Sequence, residues 1–171
     1  MWIWNKRDLF VENWYYHIYN RWYKKEIIFY NKSCYEKFYK YIFKIIKDYT
    51  SIKIVAYCLL PNHFHFVLHN IWKESDDISK FMKRLQWSYA IWHRVKYPIE
   101  FKQMFFEGRF KSNYIDNEDY LYKCLAYVCF NPVKHNIVKN IEDFPYTSFH
   151  QLWKNKKIID NIWLELNELE Y

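Results

Sequence analysis

A predicted β-hairpin in the middle of the chain limits how this sequence can fold. Residues 52–60 form a β-branched and apolar run, and residues 63–68 alternate in the manner of a second strand. Only Pro61 and Asn62 separate the two runs, and so short a break favours antiparallel neighbours. The hairpin therefore predicts an antiparallel sheet, to which the flanking segments are added.

One strand is predicted on each side of the hairpin, with a helix in each gap. Residues 15–19 are β-prone, and residues 109–115 alternate like a strand. A capping box of Ser33 and Glu36 predicts the start of the first helix, whose apolar positions then follow an i, i+3, i+4, i+7 stripe. The second helix is expected from about Ile78.

A third helix is predicted after the last strand. Asp116 or Asn117 is suited to cap it. The pair Asn131-Pro132 is expected to stop or kink it, because proline disfavours helical geometry at the residue before it. The order β-α-β-β-α-β, followed by a helix, predicts a ferredoxin-like α+β fold in which helices cover an antiparallel sheet.

The chain is basic and aromatic, and its charge is uneven. It has 171 residues, a net charge of +7 and 24% aromatic residues. Residues 1–115 carry 20 Lys and Arg against 10 Asp and Glu, whereas residues 116–171 carry 6 against 9. A basic, aromatic body suits a nucleic-acid partner and equally fits an ordinary solvated surface. The length favours one domain, residues 1–153, followed by a weakly specified tail, residues 154–171.

The sequence also predicts the cellular compartment of the protein. No apolar run approaches the roughly 18 residues needed to span a bilayer, and the N-terminus lacks the apolar region of a signal peptide. Cys58, Cys124 and Cys129 lie in apolar runs without a CxxC pair, which favours buried free thiols. A cytoplasmic protein that does not contact a membrane is expected.

His63 and His65 are the first candidates for chemistry. Alternation along a strand places both on one face, where two neutral imidazoles can bind one divalent metal ion. The same spacing also fits a His pair on the solvated side of a sheet, because such short motifs often match by chance. The residues alone leave both interpretations open.

The third helix adds Tyr127 and Asn131, which share a face because they are four residues apart. A tyrosine hydroxyl beside a metal ion can attack a phosphodiester, and an asparagine carbonyl oxygen can act as a third, hard ligand. Tyr127 is also one of 18 tyrosines, and an amphipathic aromatic side chain often serves in packing.

Four segments of the chain form an ordered set of motifs. They are LPNHFH at 60–65, GRFKS at 108–112, YVCFNPVK at 127–134 and FPYTSF at 144–149. In this order they resemble the motifs of REP-associated tyrosine transposases, which belong to the HUH single-tyrosine (IS200-like) superfamily. The resemblance covers roughly residues 13–153. Two departures from the family pattern, Leu60 for methionine and Phe144 for tryptophan, do not touch the chemistry.

The resemblance implies an activity and assigns residues to it. The Tyr127 hydroxyl would attack a phosphate in single-stranded DNA, giving a 5′-phosphotyrosine and a free 3′-OH, and the reverse reaction would rejoin strands. His63, His65 and Asn131 would hold Mg²⁺ or Mn²⁺. The family recognises a DNA hairpin with a short single-stranded guide beside it. Seven residues are candidates for DNA contacts: Lys80, Lys83, Arg84, Arg109, Lys111, Lys134 and His135.

Two other functions fit the same residues. A domesticated transposase would bind hairpin DNA without cutting it, and a metallonuclease would use water as the nucleophile while Tyr127 only packs. The intact tyrosine and ligands favour the transposase over the binding protein. A monomer and a homodimer both remain open, since the superfamily includes obligate dimers whereas the REP-associated branch resembles monomers more often.

Overall fold

Four strands form one antiparallel sheet in the computed structural model, which describes residues 10–72, 75–98 and 105–152. The sheet order is β2-β3-β1-β4, as the ferredoxin-like α+β prediction requires, and that prediction is confirmed. The strands are β1 (Trp14–Arg21), β2 (Ile52–Leu60), β3 (His63–Asn70) and β4 (Lys111–Ile115). The helices are α1 (Lys32–Ile45), α2 (Asp77–Lys96), α3 (Glu118–Lys134) and the short α4 (Phe149–Leu152).

The two faces of the sheet belong to different apolar clusters. Even-numbered side chains of β1 and β3 enter the cluster beneath α1 and α2, together with the fully buried Trp22 that follows β1. On the other face, Val67 of β3 packs in the cluster built on α3. Because strand side chains alternate, the odd-numbered His63 and His65 lie on the α3 side. The predicted chemistry is thereby confined to the space between the sheet and α3.

Helix α1 begins before its predicted capping box, because its cap is Asn31 and not Ser33. Asn31 has extended backbone angles and its side-chain oxygen accepts a hydrogen bond from the Cys34 N–H at 3.3 Å. Ser33 lies inside the helix and donates its hydroxyl to the same oxygen at 2.7 Å. The predicted Ser33 cap is therefore wrong, since Asn31 occupies the capping position.

Helix α3 is capped by Asn117, one of the two residues that the sequence suggested for this position. Its side-chain oxygen accepts from the Tyr120 N–H at 2.7 Å. Of the predicted stop or kink at Asn131-Pro132, the stop is wrong, because α3 continues through Pro132 to Lys134.

The helix ends instead at a left-handed residue, Asn136, whose φ is 55°. The Asn136 N–H donates to the Val133 carbonyl, and the Ile137 N–H to the Pro132 carbonyl, each at 2.9 Å. This is the Schellman arrangement. It supplies donors to the last carbonyls and so ends the helix after the turn that contains proline.

The state of the cysteines and the hydropathy of the helices can be compared with the predictions made from composition. All four cysteines are buried and free, which confirms the prediction for Cys58, Cys124 and Cys129. None of the described helices is long and apolar enough to cross a membrane. The predicted boundary at residue 153 and the tail at 154–171 lie outside the described residues and stay predictions.

The Asn117 cap gives a stability prediction. Asn117→Ala is expected to lower the free energy of unfolding by about 1 kcal/mol, because the Tyr120 N–H loses its acceptor. Asn117→Ser retains a capping oxygen and is expected to resemble the wild type. Urea unfolding followed by circular dichroism compares the three proteins, and an alanine variant as stable as the serine variant would contradict the cap.

Candidate active site

The structure brings the histidine pair and Tyr127 together. The rings of His63 and His65 are 5.1 Å apart between centroids and nearly perpendicular. The Tyr127 ring stands edge-on to His65 with a centroid separation of 5.5 Å. Tyr127 is half-buried, so the sheet and α3 enclose one side of the ring and leave another open. The strand alternation and the helix spacing thus converge on one place.

Asn131 lies one turn further along α3 than Tyr127. It is fully buried, and its side-chain N–H donates to the Tyr127 carbonyl at 2.8 Å. Its side-chain oxygen is also buried and has no hydrogen-bond partner among the described residues. A buried carbonyl oxygen is costly to leave unsatisfied, and it is a ligand that hard cations prefer. Two imidazoles and this oxygen therefore fit a divalent cation such as Mg²⁺ or Mn²⁺.

The cation would depend on the amide oxygen for its third ligand. In the described part of the chain, no three His, Cys, Asp or Glu side chains are grouped so that they could hold a metal ion. The candidate ligands His63, His65 and Asn131 differ from such a group, because one of the three is an asparagine. Such a set also leaves coordination positions for a phosphate oxygen or water.

His17 is a member of the site that the sequence did not reveal. Its Nε2 shares a hydrogen bond of 2.9 Å with Nδ1 of His65, and its ring is 5.8 Å from that of Tyr127 between centroids. Nothing in the β1 sequence distinguishes this histidine from a packing residue. The signal lies in the pairing of β1 with β3, which places His17 opposite Val67 and Tyr19 opposite His65.

Burial keeps the site histidines neutral. Burial lowers the pKa of His17 to about 4. Burial, followed by the charges of His135 and Arg21, lowers the pKa of His63 to about 4. The pKa of His65 lies well below its ordinary value, first because of burial and then because of His17. All three rings are therefore neutral at pH 7, and neutral imidazole is the form that binds metal ions.

Three of the seven predicted DNA-contact residues lie beside this site. The Lys134 ammonium is 4.7 Å from the centroid of the Tyr127 ring. The ring of His135 is 5.4 Å from that of His63. Lys111 pairs with Tyr19 across the sheet, so its side chain leaves the sheet on the same face as His65. Lys134 and Lys111 thus place positive charge beside a neutral, buried centre.

Three others lie on a different surface. Lys80, Lys83 and Arg109 line a groove of about 790 Å³ between α2 and the segment before β4, with Trp87 among the other lining residues. Lys80 is already paired with Asp76 at 2.6 Å.

Arg84 lines neither surface. It is paired with Asp48 at 2.5 Å and is absent from the groove lining. The structure therefore separates the seven residues into the three beside Tyr127, the three in the groove, and Arg84.

Similarity to known proteins identifies the class to which the fold and site belong. Residues 10–130 match the family described as IS200-like transposases, and the chain belongs to that family. The resemblance seen in the four sequence segments is thus confirmed.

Two curated relatives lie within this class. The REP-associated tyrosine transposase of Escherichia coli strain K12 is 29% identical over an alignment of 114 residues, and the match covers 64% of this chain and 61% of that protein. A Haemophilus influenzae relative is 29% identical over an alignment of 124 residues, and the match covers 61% of this chain and 62% of that protein. The chain therefore spans about three fifths of the length of the curated relatives it matches.

Solved structures establish the fold. A REP-associated tyrosine transposase bound to a REP hairpin superposes with a TM-score of 0.69 and 21% identity, over 88% of this chain and 84% of that one. The tRNA(His) guanylyltransferase of Saccharomyces cerevisiae gives a TM-score of 0.54 and 11% identity, over 78% and 64% of the two chains. Since enzymes with different activities share this fold, the activity has to be argued from the site.

The lowered histidine pKa values predict how stability depends on pH. His17 binds a proton below about 6.5 when unfolded but only near 4 when folded. The unfolded state therefore holds more protons between these values, and stability falls as the pH falls through this range, by up to about 1.4 kcal/mol per pH unit for this residue. Urea unfolding with a chelator at pH 7 and pH 5 measures the loss. His17→Phe is expected to lose less, and an equal loss in both proteins would contradict the assignment.

Proposed function

We propose that this protein is a metal-dependent single-stranded DNA transposase that cleaves and rejoins strands at hairpin-forming repeats through a 5′-phosphotyrosine intermediate. The observation that carries the proposal is the position of Tyr127 beside the neutral histidine cluster and one helical turn from Asn131, whose side-chain oxygen has no partner among the described residues. Membership of the IS200-like transposase family supports it. The structural relative that is bound to a REP hairpin supports the choice of DNA.

The chemistry assigned to Tyr127 is a reversible transesterification. Its hydroxyl oxygen forms a bond to the phosphorus while the bond from phosphorus to the 3′ oxygen breaks. The hydroxyl proton is lost and the departing 3′ oxygen gains one, so the products are a 5′-phosphotyrosine and a 3′-OH. A 3′-OH from another strand attacks the phosphotyrosine in the reverse step. The diester bond is conserved throughout, so no external energy source is required.

The neighbours of Tyr127 support this role. Mg²⁺ or Mn²⁺ held by His63, His65 and Asn131 would withdraw charge from the phosphate oxygens. The Lys134 ammonium over the Tyr127 ring is close enough to attract a phosphate that approaches the hydroxyl. The metal ion and the Lys134 ammonium would act on the phosphate from two different elements, since the histidines lie on β3 and Lys134 lies on α3.

The α2 groove suits the DNA beyond the reacting phosphate. Lys83 and Arg109 can neutralise backbone phosphates. The Trp87 ring is 69% exposed, which leaves it open to stack on an unpaired base. The groove thus combines the two features by which single-stranded nucleic acid is bound, and it lies apart from the reacting centre.

A covalent adduct tests the nucleophile. Wild-type protein incubated with labelled hairpin DNA and Mn²⁺ is expected to give a protein–DNA adduct that survives denaturation. Tyr127→Phe is expected to abolish the adduct while DNA binding persists. Tyr122→Phe is the matched control on the same helix, since the Tyr122 hydroxyl bonds to Glu118, and it should form the adduct normally.

Each alternative has its own outcome in this experiment. An adduct formed by Tyr127→Phe would show that another residue is the nucleophile. Cleavage by the wild type without any adduct would identify a hydrolytic nuclease, and binding without cleavage would identify a non-catalytic hairpin-binding protein. Normal cleavage by His63→Ala would contradict the metal site.

Salt dependence tests the groove. Lys83→Ala and Arg109→Ala are each expected to weaken hairpin binding and to reduce the slope of log affinity against log salt by about 1 for each phosphate that is no longer neutralised. Lys40→Ala, an exposed lysine on α1, serves as the control and should leave the slope unchanged. Fluorescence anisotropy between low and physiological salt gives the slopes, and groove variants that match the control would exclude this surface.

A further inference from the structure

Both histidines of the pair are held through the same ring nitrogen. Nδ1 of His63 is 2.6 Å from the side-chain oxygen of Asn62, and Nδ1 of His65 is 2.9 Å from Nε2 of His17. In each case Nε2 is the nitrogen left for another partner. The two contacts come from different elements, the β2–β3 turn and β1, yet they act on equivalent atoms.

The protonation of His63 follows from the Asn62 amide. The Asn62 amide N–H donates to the Lys25 carbonyl at 3.1 Å, which fixes the amide with its oxygen toward the ring. An amide oxygen only accepts hydrogen bonds, so Nδ1 of His63 must carry the proton. Because the ring is neutral, Nε2 of His63 then presents a lone pair.

His65 has two possible tautomers, and they differ in whether Nε2 has a lone pair available for a cation. If His17 donates, the His65 proton lies on Nε2, and that nitrogen has no lone pair for a cation. If His65 donates from Nδ1, its Nε2 lone pair is available. Both rings are buried and inclined by only 20° to each other, so the hydrogen bond lies between nearly parallel rings and is protected from water.

We propose that His17 and Asn62 are positioning residues that hold His65 and His63 in the Nδ1–H tautomer, so that both Nε2 lone pairs are presented to the cation. The role toward the cation and the choice of tautomer for His65 rest on the proposed function, whereas the His63 tautomer follows from its contact with Asn62 alone. Partners that orient a ligating histidine through its other nitrogen typically contribute about 10–100-fold to metal affinity. His17 thus acts through His65 and Asn62 through His63.

Imidazole NMR tests the tautomers without metal or DNA. In ¹⁵N-labelled protein with a chelator, His63 and His65 are both expected to show a protonated Nδ1 and an unprotonated Nε2. His17→Phe removes the acceptor while keeping an aromatic ring, and should return His65 to a mixture of tautomers. His17→Gln restores an acceptor oxygen and should restore the Nδ1–H form. A purely structural role for His17 would not distinguish these two variants in this way.

Mn²⁺ titration of the DNA-free protein gives the second measurement. His17→Phe and Asn62→Leu are expected to weaken Mn²⁺ binding about 10–100-fold, and His17→Gln to remain close to the wild type. Wild-type His65 with its proton on Nε2 would overturn the proposal, and so would unchanged affinity in both the His17→Phe and Asn62→Leu variants. If the tautomers are as expected but the wild type binds no Mn²⁺, the positioning contacts stand and the metal-dependent function fails.

Discussion

The antiparallel register of β1 on β3 is the constraint on which the site depends. It sets Tyr19 opposite His65 and His17 opposite Val67, so the histidine of β1 reaches the histidine of β3 on the α3 side. A shift of one residue would turn every side chain of β1 to the other face. His17 would then enter the apolar cluster beneath α1 and α2, where it would lose His65. The burial of Tyr16 and Ile18 opposes that shift and thereby stabilises a polar contact on the opposite face.

The parts of the site that the sequence predicted are those that depend on local periodicity. Two-residue alternation was enough to place His63 and His65 on one face, and the i, i+4 rule was enough to pair Tyr127 with Asn131. His17 could not be assigned in this way, because its partner lies 48 residues away and only the strand pairing joins them. The fold class was predictable for the opposite reason, since the hairpin and alternating elements leave few arrangements.

The two errors have local physical causes. Both Asn31 and Ser33 are good capping residues, and the choice between them depended on backbone angles that composition does not show. The proline in α3 was expected to stop or kink the helix, but the helix ends beyond it, at the Schellman arrangement around Asn136. Asparagine at the left-handed position was the available signal, since it adopts that conformation more readily than most residues.

In the site, the neutral groups are buried and the charged groups are exposed. Its buried imidazoles carry no charge at pH 7, whereas the cations Lys134 and Lys111 are exposed around them. A polyanion is therefore attracted to the rim, while the lone pairs inside stay free of protons. If the same cations were buried beside the histidines, they would incur a desolvation cost and repel the metal ion.

The hydrogen bond from Asn131 to the Tyr127 carbonyl joins the proposed nucleophile to a proposed metal ligand. Both belong to a single turn of α3, so the vector between them is set by helix geometry and not by the packing of distant elements. A displacement of α3 over the sheet would carry both residues together and change the distance of each to the histidines. In the proposed mechanism, affinity for the cation and alignment of the Tyr127 hydroxyl would therefore be coupled, so selection on either property would act on the other through the same helix.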